Sequence, residues 1–162
     1  MRQVWKPSVT VAAVIAQHGR YLLVEEQTPE GLRLNNPAGH LEPGESPLEG
    51  AVRETLEETA CVFTPEALLG VYLARMRRGD DDITYLRMAF AGSVGDPLPG
   101  RALDTGIVRR VWLTADEVRA SRTQHRSPLV WQCVADHLAG RRLPLDAIRT
   151  DPSVQALHGV AR

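Results

Sequence analysis

Cysteine is scarce in this chain. Only Cys61 and Cys133 occur among its 162 residues; they stand far apart in the sequence with no C-x-x-C or metal-type spacing, so the expectation is two free thiols rather than a disulfide or a ligand pair. Long apolar runs are missing as well. The N-terminal MRQVWKPSVTVAAVIA is too short and too β-branched to span a bilayer and has no small-residue cleavage site, which points to a cytoplasmic protein. A surplus of either charge is also absent: the net charge is −1, which leaves no electrostatic case for a nucleic-acid or membrane partner. Small phosphorylated substrates stay open, because a metal can supply the countercharge locally. There is no internal repeat and no low-complexity segment. What remains is ordinary globular composition, 43% hydrophobic and 24% charged, at a length that suits one domain over 1–162 with a core of about 6–148 and a tail after Asp146 that is expected to be loosely held.

Strand and helix signals interleave along the chain. SVTVAAVIA (8–16) and YLLVEE (21–26) are β-rich runs separated by a turn at Gly19, the pattern of a hairpin. The segment 27–45, rich in Pro, Gly and Asn, reads as a loop. ALLGVYLAR (67–75) and ITYLRMAFAG (83–92) read as strands joined across MRRGDDD, and a further strand begins after Gly106. Thr114 with Glu117 forms a capping-box pattern for a helix over 114–121. A second helix is expected over 127–140, with Ser127 as cap, Pro128 in the first turn and Gly140 past the end.

The densest signal is acidic. Between Glu42 and Glu58, seventeen positions carry six glutamates. Ser46-Pro47-Leu48-Glu49 is a strong helix start. Helical periodicity puts Leu48, Val52, Thr55, Leu56 and Thr59 on a sheet-facing side and Glu54, Glu57 and Glu58 on the opposite one, with Gly50 leaving the approach to them open. A solvated acidic face is the usual meaning of such a helix. Here no lysine alternates with the acids, and Glu54 and Glu58 form an i,i+4 like-charge pair. Three clustered carboxylates suit a hard cation such as Mg²⁺ or Mn²⁺.

Gly39, five residues, Glu45, seven residues and then Arg53-Glu54-x-x-Glu57-Glu58 resembles the Nudix box of the Nudix hydrolases. The resemblance implies an α/β fold, an α/β/α sandwich with a mixed central sheet in a single domain. It implies Glu57 and Glu58 as principal metal ligands, Glu54 as a ligand or the base that activates water, and the Gly39 carbonyl as a further ligand. Arg53 and Glu45 would be an orienting pair, and Mg²⁺, or Mn²⁺, the cofactor. Thr55, Ala60 and Cys61 depart from the family pattern without touching the carboxylate face. Of these, Ala60 matters if the helix must end in a left-handed residue.

Beyond the box, KPSVTVAAVI, LLVEE, NNPAGHLE and RSPLVWQCVADHLAGRRLPLDAI resemble the bacterial NudJ-type phosphatase branch. That likeness implies release of orthophosphate from nucleoside di- and triphosphates or thiamin-type pyrophosphates. The competing expectations are a Nudix pyrophosphohydrolase of another specificity and a non-catalytic binding domain, which would be expected to have lost box carboxylates. Monomer and homodimer are both compatible with the sequence.

Weaker candidates surround this core. His40 could touch a phosphate or simply hold the loop. Asp80-Asp81-Asp82 could supply a base in a substrate-covering loop, but reads first as a solvated hairpin turn. Trp5 and Tyr85 could stack on a ring, Trp112 reads as structural, and Arg122 and Arg126 could meet a phosphate. His18, His125, His137 and His158 show no metal-ligand spacing and read as surface or packing residues.

Overall fold

The computed structural model describes residues 1–155. Strand β1 (Ser8–Gln17) is the axis of the fold. Its run Val11 to Ile15 is fully buried, which is what a strand covered on both faces requires. It pairs in parallel with β6 (Asp81–Val94), from Ser8 opposite Tyr85 to Ile15 opposite Gly92. Strand β5 (Phe63–Arg78) pairs antiparallel with β6. On the other side of β1 lies the short β4 (Ala38–His40), antiparallel, with Val11 opposite Gly39. Strand β2 (Arg20–Thr28) folds back from the end of β1 and carries β3 (Gly31–Asn35) and β7 (Ile107–Leu113), both antiparallel to it. The result is a mixed sheet.

Alternation along β1 divides the core. Val11, Ala13 and Ile15 pack with Ala51 of helix α1 (Pro47–Thr59) and with Phe63, Leu68 and Phe90. Ala12 and Val14 pack on the other face with Val118 of α2 (Ala115–Ala120) and with Val130, Cys133 and Val134 of α3 (Leu129–Leu138). Two faces covered by helices make the α/β/α sandwich. Both cysteines are buried and free.

Several boundaries differ from the sequence reading. The supposed loop over 27–45 contains β3 and β4, too short and too rich in Gly, Asn and Pro for their pattern to stand out. The long hairpin extends to Phe63 and Val94, turning at Gly79 and Asp80. The predicted tail is held as far as Ile148, because Leu145 and Ile148 pack against the α1 side of the core; a four-residue helix α4 (Pro152–Gln155) follows. His158 lies outside the described residues. Helix α3 starts one residue later than expected, with Pro128 rather than Ser127 in the N-cap position; the Ser127 Oγ still accepts from the Leu129 amide at 3.2 Å, and Gly140 takes φ +80° just past the helix. Of the remaining histidines, His137 packs edge-on against Tyr21 with a 2.8 Å bond between the Tyr21 hydroxyl and its Nδ1. His125 is buried, and that burial holds its imidazole below the ordinary pKa.

Among the described residues, two that are not glycine occupy left-handed backbone. Ala60 ends α1 with φ 59° and donates its amide to the Leu56 carbonyl, so the departure from glycine falls where the conformation is required. Its methyl is buried, which offsets part of the left-handed penalty. His18, φ 52°, has no such offset: it is exposed and precedes Gly19 in the tight turn between β1 and β2. Asparagine tolerates this conformation best among residues with a side chain. His18→Asn is therefore expected to raise stability by about 0.5–1 kcal/mol, read as a higher midpoint in urea unfolding with an unchanged slope.

Candidate active site

Helix α1 is fixed at both ends before it meets the sheet. Ser46 Oγ accepts from the Glu49 amide at 3.1 Å, and Glu49 Oε2 accepts from the Ser46 amide at 2.7 Å. This reciprocal cap sets where the later turns point. The buried positions are Gly50, Ala51, Glu54, Thr55, Glu58 and Thr59. The expected opposition of a carboxylate face to a sheet face is therefore corrected: Glu54 and Glu58 lie inside the buried arc, beside Thr55 and Thr59, and only Glu57 remains at its rim. Hydropathy periodicity assigns acids to solvent by default and has no means of placing them against a strand. Thr55 and Thr59 tolerate burial because each hydroxyl donates to the carbonyl one turn back, at 2.8 and 2.6 Å.

Two glycines permit this contact. A Cβ on Gly39 would fall inside the Glu54 carboxylate, so β4 must present bare backbone there. Gly50 is buried rather than open to a ligand; a Cβ on it would stand 2.8 Å from Glu45 Oε1 and 3.1 Å from Val11 Cγ2. Its role is close packing of α1 on β1, which corrects the sequence expectation.

Arg53 gathers the acids. Its Nε and Nη2 donate to the two oxygens of Glu45 at 2.9 and 2.7 Å, a bidentate pair, and Nη2 also donates to the His40 carbonyl at 3.0 Å. Nη1 donates to Glu54 at 2.8 Å and to Glu57 at 3.2 Å. This guanidinium holds the Glu45 carboxyl below the usual range. Glu54 and Glu58 move the other way. Burial, ahead of the neighbouring acids, raises Glu54 and pushes Glu58 up to about 9. Glu58 receives one compensating bond, from the Ala38 amide at 3.0 Å.

The donor set suits a divalent metal. Glu54, Glu57, Glu58 and the backbone of β4 offer only oxygen, the preference of Mg²⁺ or Mn²⁺. A cation beside the buried Glu58 carboxyl would also reverse the direction in which burial drives it. Arg53 contributes positive charge among these acids, and no group of three acidic, histidine or cysteine side chains among the described residues stands in ligating array. Arg53 engages one oxygen each of Glu54 and Glu57 and leaves the other oxygen of each free for an ion.

On the other side of β4 opens a cleft of about 560 Å³, lined in part by Glu26, Gly39, His40, Tyr85, Arg87 and Arg126. His40 and Tyr85 face each other across it, with ring centroids 6.3 Å apart. Arg126 pairs with Glu26 at 3.6 Å, and Arg122 lines a neighbouring hollow. Trp5 is exposed away from the cleft, and Trp112 packs on the core. Asp82 is held by Arg75 and Arg77 at the hairpin end while Asp81 reaches the cleft rim. Sequence reading missed Glu26, Arg87 and Asp104. Glu26 is raised by burial, and Asp104 adds negative charge near Glu54 and Glu58. A charged residue inside the apolar run of β6 was the available signal for Arg87.

Comparison with known proteins gives the family. The sequence profile of the NUDIX domain matches residues 4–132. The chain belongs to the NUDIX family. It is 35% identical to the Phosphatase NudJ of Escherichia coli K12 over 146 residues, 89% of this chain and 92% of that one. A NUDIX hydrolase from Nitrosomonas europaea superposes with a TM-score of 0.83 at 52% identity, covering 90% of this chain and 98% of the other. A UDP-X diphosphatase shares the fold with a TM-score of 0.68 at 21% identity, over 88% of this chain and 68% of that one. This protein is thus a Nudix hydrolase of the phosphatase or pyrophosphatase type, acting on small phosphorylated substrates, in a family that generally uses a divalent metal. No described helix is long and apolar enough to cross a membrane.

Proposed function

We propose that this Nudix hydrolase is Mg²⁺-dependent, with Mn²⁺ able to substitute, and releases orthophosphate from nucleoside di- or triphosphates or thiamin-type pyrophosphates. The observation that carries the reading is the convergence of Glu54 and Glu58 on β4, the strand that separates helix α1 from the cleft. The relationship to Phosphatase NudJ over nearly the whole of both chains supports the phosphatase assignment.

In this reading Glu57 and Glu58 are the principal metal ligands, with the Gly39 carbonyl beside them, and Glu54 is a ligand or the base for the attacking water. When bound, the metal supplies charge neutralisation on the phosphoryl oxygens and an acidified water. The chain's own residues do the positioning. Arg53, gripped by Glu45, fixes the rotamers of Glu54 and Glu57 and ties the helix to the His40 carbonyl. The cleft receives the remainder of the substrate, where Tyr85 offers a ring face.

The test is ³¹P NMR of the purified protein with Mg²⁺ and a panel of GTP, GDP, ADP-ribose, diadenosine tetraphosphate and thiamin pyrophosphate. Orthophosphate from GTP, GDP or thiamin pyrophosphate is the expected product. Pyrophosphate from GTP, or cleavage of ADP-ribose or the dinucleotide alone, would replace the phosphatase reading with a pyrophosphohydrolase of other specificity. No reaction with either metal would favour a binding role.

A further inference from the structure

Strand β6 carries one charge in the middle of an apolar run, and the fold does not place it in water. Arg87 is 6% exposed and lines the cleft. Its Nη1 and Nη2 donate to Asn36 Oδ1 at 3.1 Å and to Asn35 Oδ1 at 3.2 Å, while the buried Nε has no hydrogen-bond partner among the described residues. Asn35 and Asn36 are themselves buried. Both partners of the guanidinium are neutral amides. They fix its plane and leave its charge in place. The nearby acid, Glu26, makes its direct contacts elsewhere, accepting from the Asn35 Nδ2 at 3.5 Å and pairing with Arg126, and feels Arg87 only as the weakest of its neighbouring charges. Among the described residues no carboxylate forms an ion pair with Arg87.

A buried guanidinium without a direct ion-pair partner is costly, and proteins ordinarily pair such a group. Cys133, the other group facing it, is a thiol that burial pushes toward its neutral form, so it supplies no compensating charge. An anion arriving from the cleft would supply the direct partner that the fold does not. Position supports this. Arg87 stands opposite Thr10 on β1, and Thr10 stands opposite His40 on β4. All three line the cleft in one row, so Arg87 lies two strand spacings, about 10 Å, from the β4 backbone. The length of an arginine side chain and a diphosphate together span that gap. Arginine's planar fork is suited to phosphoryl oxygens.

We propose that Arg87, held in plane by Asn35 and Asn36, is the cleft's anion receptor and binds a non-reacting phosphoryl oxygen of the substrate. The assignment rests on the proposed phosphoanhydride chemistry and adds to it a specificity-determining residue outside the carboxylate helix. It also explains why the strand tolerates a charge between Leu86 and Met88.

Inorganic pyrophosphate is the probe, titrated calorimetrically in the presence of Ca²⁺ into the wild-type protein and into Arg87→Lys and Arg87→Met, with thermal melting to confirm folding. Wild-type protein is expected to bind. Both variants are expected to lose about tenfold or more in affinity, since lysine keeps the charge and loses the fork. In turnover assays the change is expected mainly in KM. A folded variant that binds pyrophosphate as wild type does would overturn the inference and make Arg87 a structural clamp, as would a wild-type protein that binds none. Should neither variant fold, the ¹⁵N signal of the Arg87 Nε in wild-type protein decides: a shift on adding pyrophosphate supports the receptor, and no shift overturns it. Arg87-dependent binding without hydrolysis of any compound in the panel would retain the receptor and remove the proposed reaction.

Discussion

Glu57→Gln is expected to lower turnover by on the order of 10²–10³-fold while leaving the protein folded. Glu57 is the most exposed of the three box carboxylates, at 37% of its side chain, and its one described side-chain partner is Arg53 Nη1. Glutamine keeps the shape and one acceptor oxygen and removes the charge that would hold a cation. Little packing is at stake, so the melting temperature should move by no more than a few degrees, about the effect of 1 kcal/mol in a chain of this length. Steady-state kinetics and a thermal melt on the same preparation check both halves. Undiminished turnover by the folded variant would remove Glu57 from the metal site. Glu58 would be a poorer choice for this experiment: it is buried, and its neutralisation changes folding and metal affinity together.

Arg53→Met is expected to act on stability and rate at once. One guanidinium serves Glu45, Glu54 and Glu57. Removing it leaves partly buried carboxylates facing one another without a counterion. A loss of about 2–3 kcal/mol is expected, below the figure for a fully buried pair because the site is partly solvated. This corresponds to roughly 5–10 °C in melting temperature. Turnover should fall by about 10- to 100-fold, since the residue orients ligands without being one. Arg53→Lys should recover only part of either, as an ammonium cannot reproduce the bidentate grip on Glu45.

The pH dependence identifies the pair. Glu45 is lowered in the folded protein by Arg53, so its contribution is present above its unfolded pKa and lost as pH falls through the folded one. The stability gap between wild type and Arg53→Met should therefore narrow in acid, with the change falling below about pH 4.5. A gap independent of pH in urea titrations would mean that Arg53 stabilises by packing alone.

Much of the site was legible because its residues are close in sequence. Ser46, Pro47 and Glu49 announce the helix through local capping, and the intervals from Gly39 to Glu58 need no tertiary information. The same locality explains the errors. A helical wheel sees one helix and sorts residues by polarity, so it put Glu54 and Glu58 in solvent and assigned Gly50 to ligand access. The bare backbone of β4 at Gly39 makes the difference, and β4 is three residues long. Arg53 was recognised as an orienting partner of Glu45, and the fold extends its reach to Glu54 and Glu57, which sequence spacing alone does not show. Glu26, Arg87 and Asp104 come from three separate segments and approach the site only in the fold, where no spacing rule reaches. Ala60 shows the opposite case. The family pattern marked a position where glycine would end the helix in left-handed backbone, and the structure has φ 59° there.

The central claim is that the Glu54, Glu57 and Glu58 edge of α1 holds a divalent cation next to the cleft. Titration with Mn²⁺, following the free ion by electron paramagnetic resonance, tests it most directly in wild-type and Glu57→Gln proteins. Wild-type protein should take up Mn²⁺ in competition with Mg²⁺, and the variant should bind it at least about tenfold more weakly. Equal uptake by the two proteins, or none by the wild type, would contradict the account.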